Sequence, residues 1–203
     1  MRALIWVDLQ NDFLPGGALA VPQGDEVIPV ANRVAARFDL IVATQDWHPQ
    51  NHASFASNHP GKKIGESIDL GGLSQVLWPD HCVENTRGAE LAPGLEVGRI
   101  TRVFQKGTDP EIDSYSGFYD NGHRKSTGLA EWLRSRGVEE LWLLGLATDY
   151  CVRATALDAQ QEGFRMALVE EGCRGVDLNV GDSKAAIEEM RGKGIRIVGS
   201  DAA

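Results

Sequence analysis

The sequence predicts an α/β protein: six parallel strands in one sheet, with helices on both faces, in three αβα layers. Two observations carry this. Short apolar runs of strand length recur along the chain, and segments with one apolar helical face lie between several of them. A third observation, the lack of any internal repeat, low-complexity tract or linker, assigns residues 1–203 to one domain.

Each element follows from its pattern. Ala3–Leu9 (ALIWVDL) is apolar, ends before Gly16 and Gly17, and reads as a buried strand. Asp25–Phe38 places Val27, Val30, Ala31, Val34, Ala35 and Phe38 on one helical face. Leu40–Thr44 (LIVAT) is the second strand. From Gln45 to Gly98 both periodicities weaken, and a long irregular stretch in a compact domain is usually functional. Ile100–Gln105 is the third strand, and a helix is expected over Gly128–Arg136. Glu140–Leu146 (ELWLLGL) is the fourth strand, with a helix over Asp149–Gln161 directly after it. Arg165–Val169 is the fifth strand, Ser183–Arg191 a helix and Ile195–Val198 the last strand.

Composition narrows the function. Hydrophobic residues at 42% and charged residues at 24% describe a globular chain rather than a disordered one. A formal charge of -9 repels phosphate backbones and anionic lipid, which argues against nucleic acid and membrane partners. The N-terminal apolar run is interrupted by Asp8, and no stretch approaches membrane-spanning length. Cys82, Cys151 and Cys173 are odd in number and lack a disulfide spacing. In a chain expected to be cytoplasmic, they are free thiols, ligands or nucleophiles.

The reactive residue types fall at strand ends. Ligands of open parallel sheets bind beyond the carboxyl ends of the strands. Asp8 ends the first strand, Asp46 and His48 follow the second, Lys106 follows the third, and Cys151 comes shortly after the fourth. Taken singly, the cysteine reads as a small buried hydrophobe, the lysine as solvated and the aspartate as a cap. Their convergence on one sheet edge favours chemistry. A helix N-terminus and a nearby cation such as Lys106 lower a thiol's pKa, and first-turn N–H groups can receive an oxyanion. Asp8 is placed to take the thiol proton and return it to a leaving group.

Asp46, His48 and His52, joined at a distance by His81, form the second constellation. Carboxylate and imidazole donors suit one divalent ion, zinc, iron or manganese. Pro49 prevents His48 and His52 from sharing one helical face, and solvent exposure is the plain alternative for such a pair. Cys82 reads as packing, and His59 and His123 receive no role.

The segments VDLQNDF (7–13), QDWHPQNHASF (45–55), WPDHCV (78–83), FQKG (104–107), YSGF (115–118) and GLATDYCVRATALDA (145–159) occur in this order. Together they resemble the nicotinamidase branch of the isochorismatase-like hydrolases over almost the whole chain. The resemblance implies hydrolysis of nicotinamide to nicotinate and ammonia, with pyrazinamide as a second substrate and a role in NAD salvage. It implies a catalytic triad of Asp8, Lys106 and Cys151, and a metal held by Asp46, His48 and His81, with His52 a ligand only in some relatives. It also implies a cis peptide at Leu146–Ala147, and an oxyanion hole formed by the N–H groups of Ala147 and Cys151. The metal would anchor the pyridine nitrogen, Phe13 and Trp78 would flank the ring, and Tyr115 would close the pocket. Residues 54–76 receive no chemistry and are left as a lid or a homo-oligomer contact.

Overall fold

Buried apolar runs and amphipathic helices alternate along the chain in a computed structural model that describes residues 1–203. The first half holds β1 (Arg2–Val7), α1 (Val27–Ala35), β2 (Ile41–Asp46), β3 (Ser67–Leu70), β4 (Leu73–Val76) and β5 (Arg102–Lys106). The second half holds α2 (Leu129–Ser135), β6 (Glu140–Leu146), α3 (Arg153–Gln161), β7 (Arg165–Arg174), α4 (Asp182–Gly192) and β8 (Arg196–Val198). Six strands form one parallel sheet in the order β5-β2-β1-β6-β7-β8. This is the expected three-layer α/β architecture.

The central strands explain their own sequences. Ala3–Val7 and all of β2 are buried, because helices cover both faces of a parallel sheet, so these strands read as continuous apolar runs rather than alternating ones. At the sheet edge β5 exposes Arg102, Val103 and Gln105 and buries Phe104. Its last residue, Lys106, is buried too, which an isolated lysine would not tolerate. On α1 the buried positions Val27, Ile28, Ala31, Val34 and Ala35 form the helical stripe, which packs against β6 and β7.

The strand order places the site. From β1 the chain moves outward through β2 to β5, then returns to the other side of β1 with β6 and moves outward the opposite way. Connections leaving β1 and β6 therefore diverge, and the crevice at that reversal is where such sheets bind ligands.

Three expectations change. Residues 67–76, which carry no clear pattern, form an antiparallel hairpin of β3 and β4 around Gly71 and Gly72, both at positive φ. The fifth sheet strand extends past Val169 to Arg174, shifting register near Gly145. Thr148–Val152 is a single π-turn, with the Val152 N–H bonded to the carbonyl of Ala147 at 3.1 Å; regular α-helix begins at Arg153 rather than Asp149. No helix is long and apolar enough to cross a membrane.

Candidate active site

The chain carries Asp8, Lys106 and Cys151 to one buried point beyond the strand ends. Asp8 follows β1 directly, with its backbone at φ 48°. Lys106 closes β5, and Cys151 sits in the π-turn after β6. Lys106 Nζ lies 2.5 Å from Asp46 Oδ1, 2.8 Å from the Ser114 carbonyl and 3.4 Å from Cys151 Sγ. Asp8 Oδ2 is 3.0 Å from the same nitrogen, yet receives no directed hydrogen bond. Its other oxygen accepts from the Thr44 hydroxyl at 2.6 Å. Asp8 is thus held to Lys106 by charge through Oδ2, and one of its carboxylate oxygens lies within 4.8 Å of the Cys151 sulfur.

Two carboxylates and one ammonium set the local protonation. Burial drives the Asp8 carboxyl up to about 6, against the pull of Lys106 and with a push from Asp46. Burial also drives the Cys151 thiol well above its ordinary range; Lys106 opposes this, while Asp8 and Asp46 add to it. The expectation of a thiol lowered by a cation and a helix end is corrected here. Lys106 is outweighed by desolvation and two carboxylates, so the resting sulfur holds its proton and Asp8 is ionised at neutral pH.

The Leu146–Ala147 peptide is cis. The Ala147 N–H donates to no protein acceptor, and Ala147 lines the same cavity as Cys151.

Beside the thiol, Asp46 Oδ2 lies 3.7 Å from His48 Nε2 and 3.9 Å from His81 Nε2. His48 Nδ1 sits 2.8 Å from the Gly107 carbonyl, and His81 Nδ1 2.8 Å from that of Pro79. Carbonyls only accept, so both Nδ1 atoms carry hydrogen, and it is the Nε2 atoms that face the carboxylate. Three buried donor atoms from Asp46, His48 and His81 converge within 4.8 Å of one another, which is the donor set of a divalent cation site. Gln10 clamps this strand end: its side chain bonds the Asp46 N–H and carbonyl, each at 2.8 Å. His52 stands apart. Its Nδ1 accepts the Ser54 backbone N–H at 3.2 Å, which leaves the hydrogen on Nε2. Burial drives its pKa down to about 4, so the ring is neutral, and it clusters with His48 and Asp113 rather than with Asp46 and His81.

Phe13, Trp78 and Tyr115 line a cavity whose wall also includes Cys151, Asp46 and His81. A family model described as an isochorismatase domain matches residues 2–202. The chain belongs to the isochorismatase family. Among isochorismatase-family relatives, the nicotinamidase of Escherichia coli K12 is 51% identical over 95% of this chain and 92% of its own length. A solved nicotinamidase/pyrazinamidase of Acinetobacter baumanii is 45% identical, covers 99% of this chain and 97% of its own, and superposes with a TM-score of 0.96. A pyrazinamidase of Pyrococcus horikoshii solved in complex with zinc is 42% identical, covers 98% of both chains and gives a TM-score of 0.79.

Sequence reasoning missed several residues of this isochorismatase-family site. Thr44 and Gln10 bond Asp8 and Asp46, but read as ordinary polar residues near strand ends. Asp113 lines the cavity with both oxygens engaged, by Ser114 and by Gln75. Tyr150 also lines the cavity, its ring meeting Trp78 edge-on at 4.8 Å. The acid in DSYSGF was a visible signal beside Tyr115; nothing in the sequence linked it to Gln75.

Proposed function

We propose that this chain hydrolyses nicotinamide to nicotinate and ammonia, and pyrazinamide likewise, through a thioester on Cys151. The observation that carries this reading is a buried Asp8 carboxylate within 4.8 Å of the Cys151 thiol, with the thiol at a cavity walled by aromatic rings. The nicotinamidases that the chain resembles over nearly its full length support the substrate.

Phe13, Trp78 and Tyr115 hold the ring and exclude water. Asp46, His48 and His81 would hold a divalent ion, which when bound supplies a Lewis-acid anchor for a ring nitrogen. Asp8 takes the Cys151 proton as sulfur bonds the carboxamide carbon. The oxyanion is met by the N–H groups of Ala147 and Cys151. As the carbon–nitrogen bond breaks, Asp8 passes the proton to nitrogen and ammonia leaves. Water then attacks the thioester, Asp8 accepts its proton, and the sulfur leaves and is reprotonated. Lys106 stays charged, since Asp46 and Asp8 hold its pKa well up against burial, and it steadies the thiolate as it forms.

The deciding experiment measures ammonia release by metal-stripped protein before and after adding zinc, iron or manganese. Loss on stripping and recovery on addition are expected; full activity of the stripped protein would remove the anchor from the mechanism.

Two further predictions follow from the geometry. Asp8 must be ionised to accept the thiol proton. With its carboxyl raised to about 6, kcat/KM is expected to be level above that pH and to fall about tenfold per unit below it. A pH profile level down to ~4, the ordinary carboxyl range, would exclude Asp8 as the base. Gly107 sits at φ +64°, and a Cβ there would lie 2.3 Å from Cε1 and 2.6 Å from Nδ1 of His48. Gly107→Ala is therefore expected to displace the imidazole and weaken zinc binding about 10–100-fold, read by chelator competition.

A further inference from the structure

The hairpin brings one buried polar group to the aromatic wall. Gln75 on β4 is 2% exposed, while the other β4 residues are partly or fully exposed. Its Nε2 lies 2.7 Å from the Val76 carbonyl, 2.9 Å from Asp113 Oδ2 and 3.2 Å from the Tyr115 hydroxyl. Turned over, the amide would set its oxygen against a carbonyl and a carboxylate, so the amino group is fixed on this side. Trp78 Nε1 lies 3.1 Å from the same hydroxyl, and an indole N–H only donates. Trp78 donates to the Tyr115 oxygen, while the two Gln75 amide hydrogens lie nearer the Val76 carbonyl and Asp113; neither nitrogen can accept, so no protein acceptor takes the phenol hydrogen.

We infer that Gln75 and Trp78 fix Tyr115 as a one-way hydrogen-bond donor into the cavity, favouring heteroaromatic amides that offer it a lone pair, such as a second ring nitrogen. Gln75 is a positioning residue in this device; Tyr115 is the group that selects. Burial, then Asp113, holds the phenol well above its ordinary range, so the donated proton persists through neutral and mildly alkaline pH. A donor left without an acceptor in a buried site penalises ligands that lack one, which is how polar sites discriminate between near-isosteres.

The substrate test rests on the amide-hydrolysis reading. It measures kcat/KM for pyrazinamide divided by that for nicotinamide, a ratio that does not depend on how much of a variant is folded. Tyr115→Phe is expected to lower the ratio about threefold to tenfold, the worth of one neutral hydrogen bond. Gln75→Met is expected to lower it in the same direction. The double variant is expected to fall no further than Tyr115→Phe alone, because Gln75 acts through Tyr115. An unchanged ratio in Tyr115→Phe, or a Gln75→Met effect that adds in full, would overturn the inference. If the unsubstituted protein hydrolyses neither amide, the activity reading fails, and the donor is then tested by equilibrium binding of pyrazine against pyridine. Loss of a pyrazine preference in Tyr115→Phe supports it, and identical binding in both proteins overturns it.

Discussion

Cys151→Ala is expected to lower ammonia release from nicotinamide by about four orders of magnitude or more, the scale on which removal of a covalent nucleophile acts. The sulfur is the only group at the cavity wall that combines nucleophilicity with a base beside it: Asp8 and Asp46 are acceptors already drawn to Lys106. Cys151→Ser is expected to be nearly as severe. A hydroxyl is much harder to deprotonate than a thiol, and an Asp8 carboxyl near 6 is too weak a base to compensate. Circular dichroism would check folding, since alanine at a small buried site costs little packing. Turnover by the alanine variant within about tenfold of the unsubstituted protein would rule out the thioester route.

Lys106→Met is expected to damage both folding and chemistry. Lys106 is fully buried and lies against two buried carboxylates at 3.0 and 2.5 Å. Methionine keeps much of the volume but leaves two uncompensated charges, a change that costs about 3–5 kcal/mol when one partner of a buried ion pair is removed. Denaturant midpoints at matched metal content would report it. In the folded fraction, the thiolate loses its nearby cation, and activity is expected to fall at least a hundredfold, about the effect of removing one preorganised charge-stabilising group. The sign of the pH effect is also fixed. Lys106 lowers the Asp8 pKa, so its loss should move the acidic limb upward from about 6. A limb that stays in place, with stability unchanged, would mean that the ammonium and Asp8 are not coupled.

Legibility in the sequence followed burial. The central strands were readable because two covered faces demand unbroken apolar runs, as in Ala3–Val7 and Ile41–Ala43. The hairpin was not. Ser67, Asp69 and Ser74 are exposed beside half-buried Ile68 and Leu70, and so small a sheet needs little apolar material to pair. The shift from α-helix to π-turn at Thr148–Val152 was equally silent, since one extra residue in a turn leaves no mark on periodicity. The four residues Asp8, Asp46, Lys106 and Cys151 could be placed at one sheet edge from strand ends alone. Their protonation could not, because it depends on how much water and how many opposing charges surround each group.

By itself, the sequence determined the parallel α/β fold, the family and the set of reactive residue types, because apolar period and motif order are properties of the chain. Tertiary structure decided which hydrogens those residues carry and where they point. It set Cys151 as a thiol beside an ionised Asp8, grouped His52 with His48 and Asp113, and brought Gln75 across from the hairpin to Tyr115. Each of these is a matter of desolvation and of donors meeting acceptors in space, between residues that the chain holds far apart.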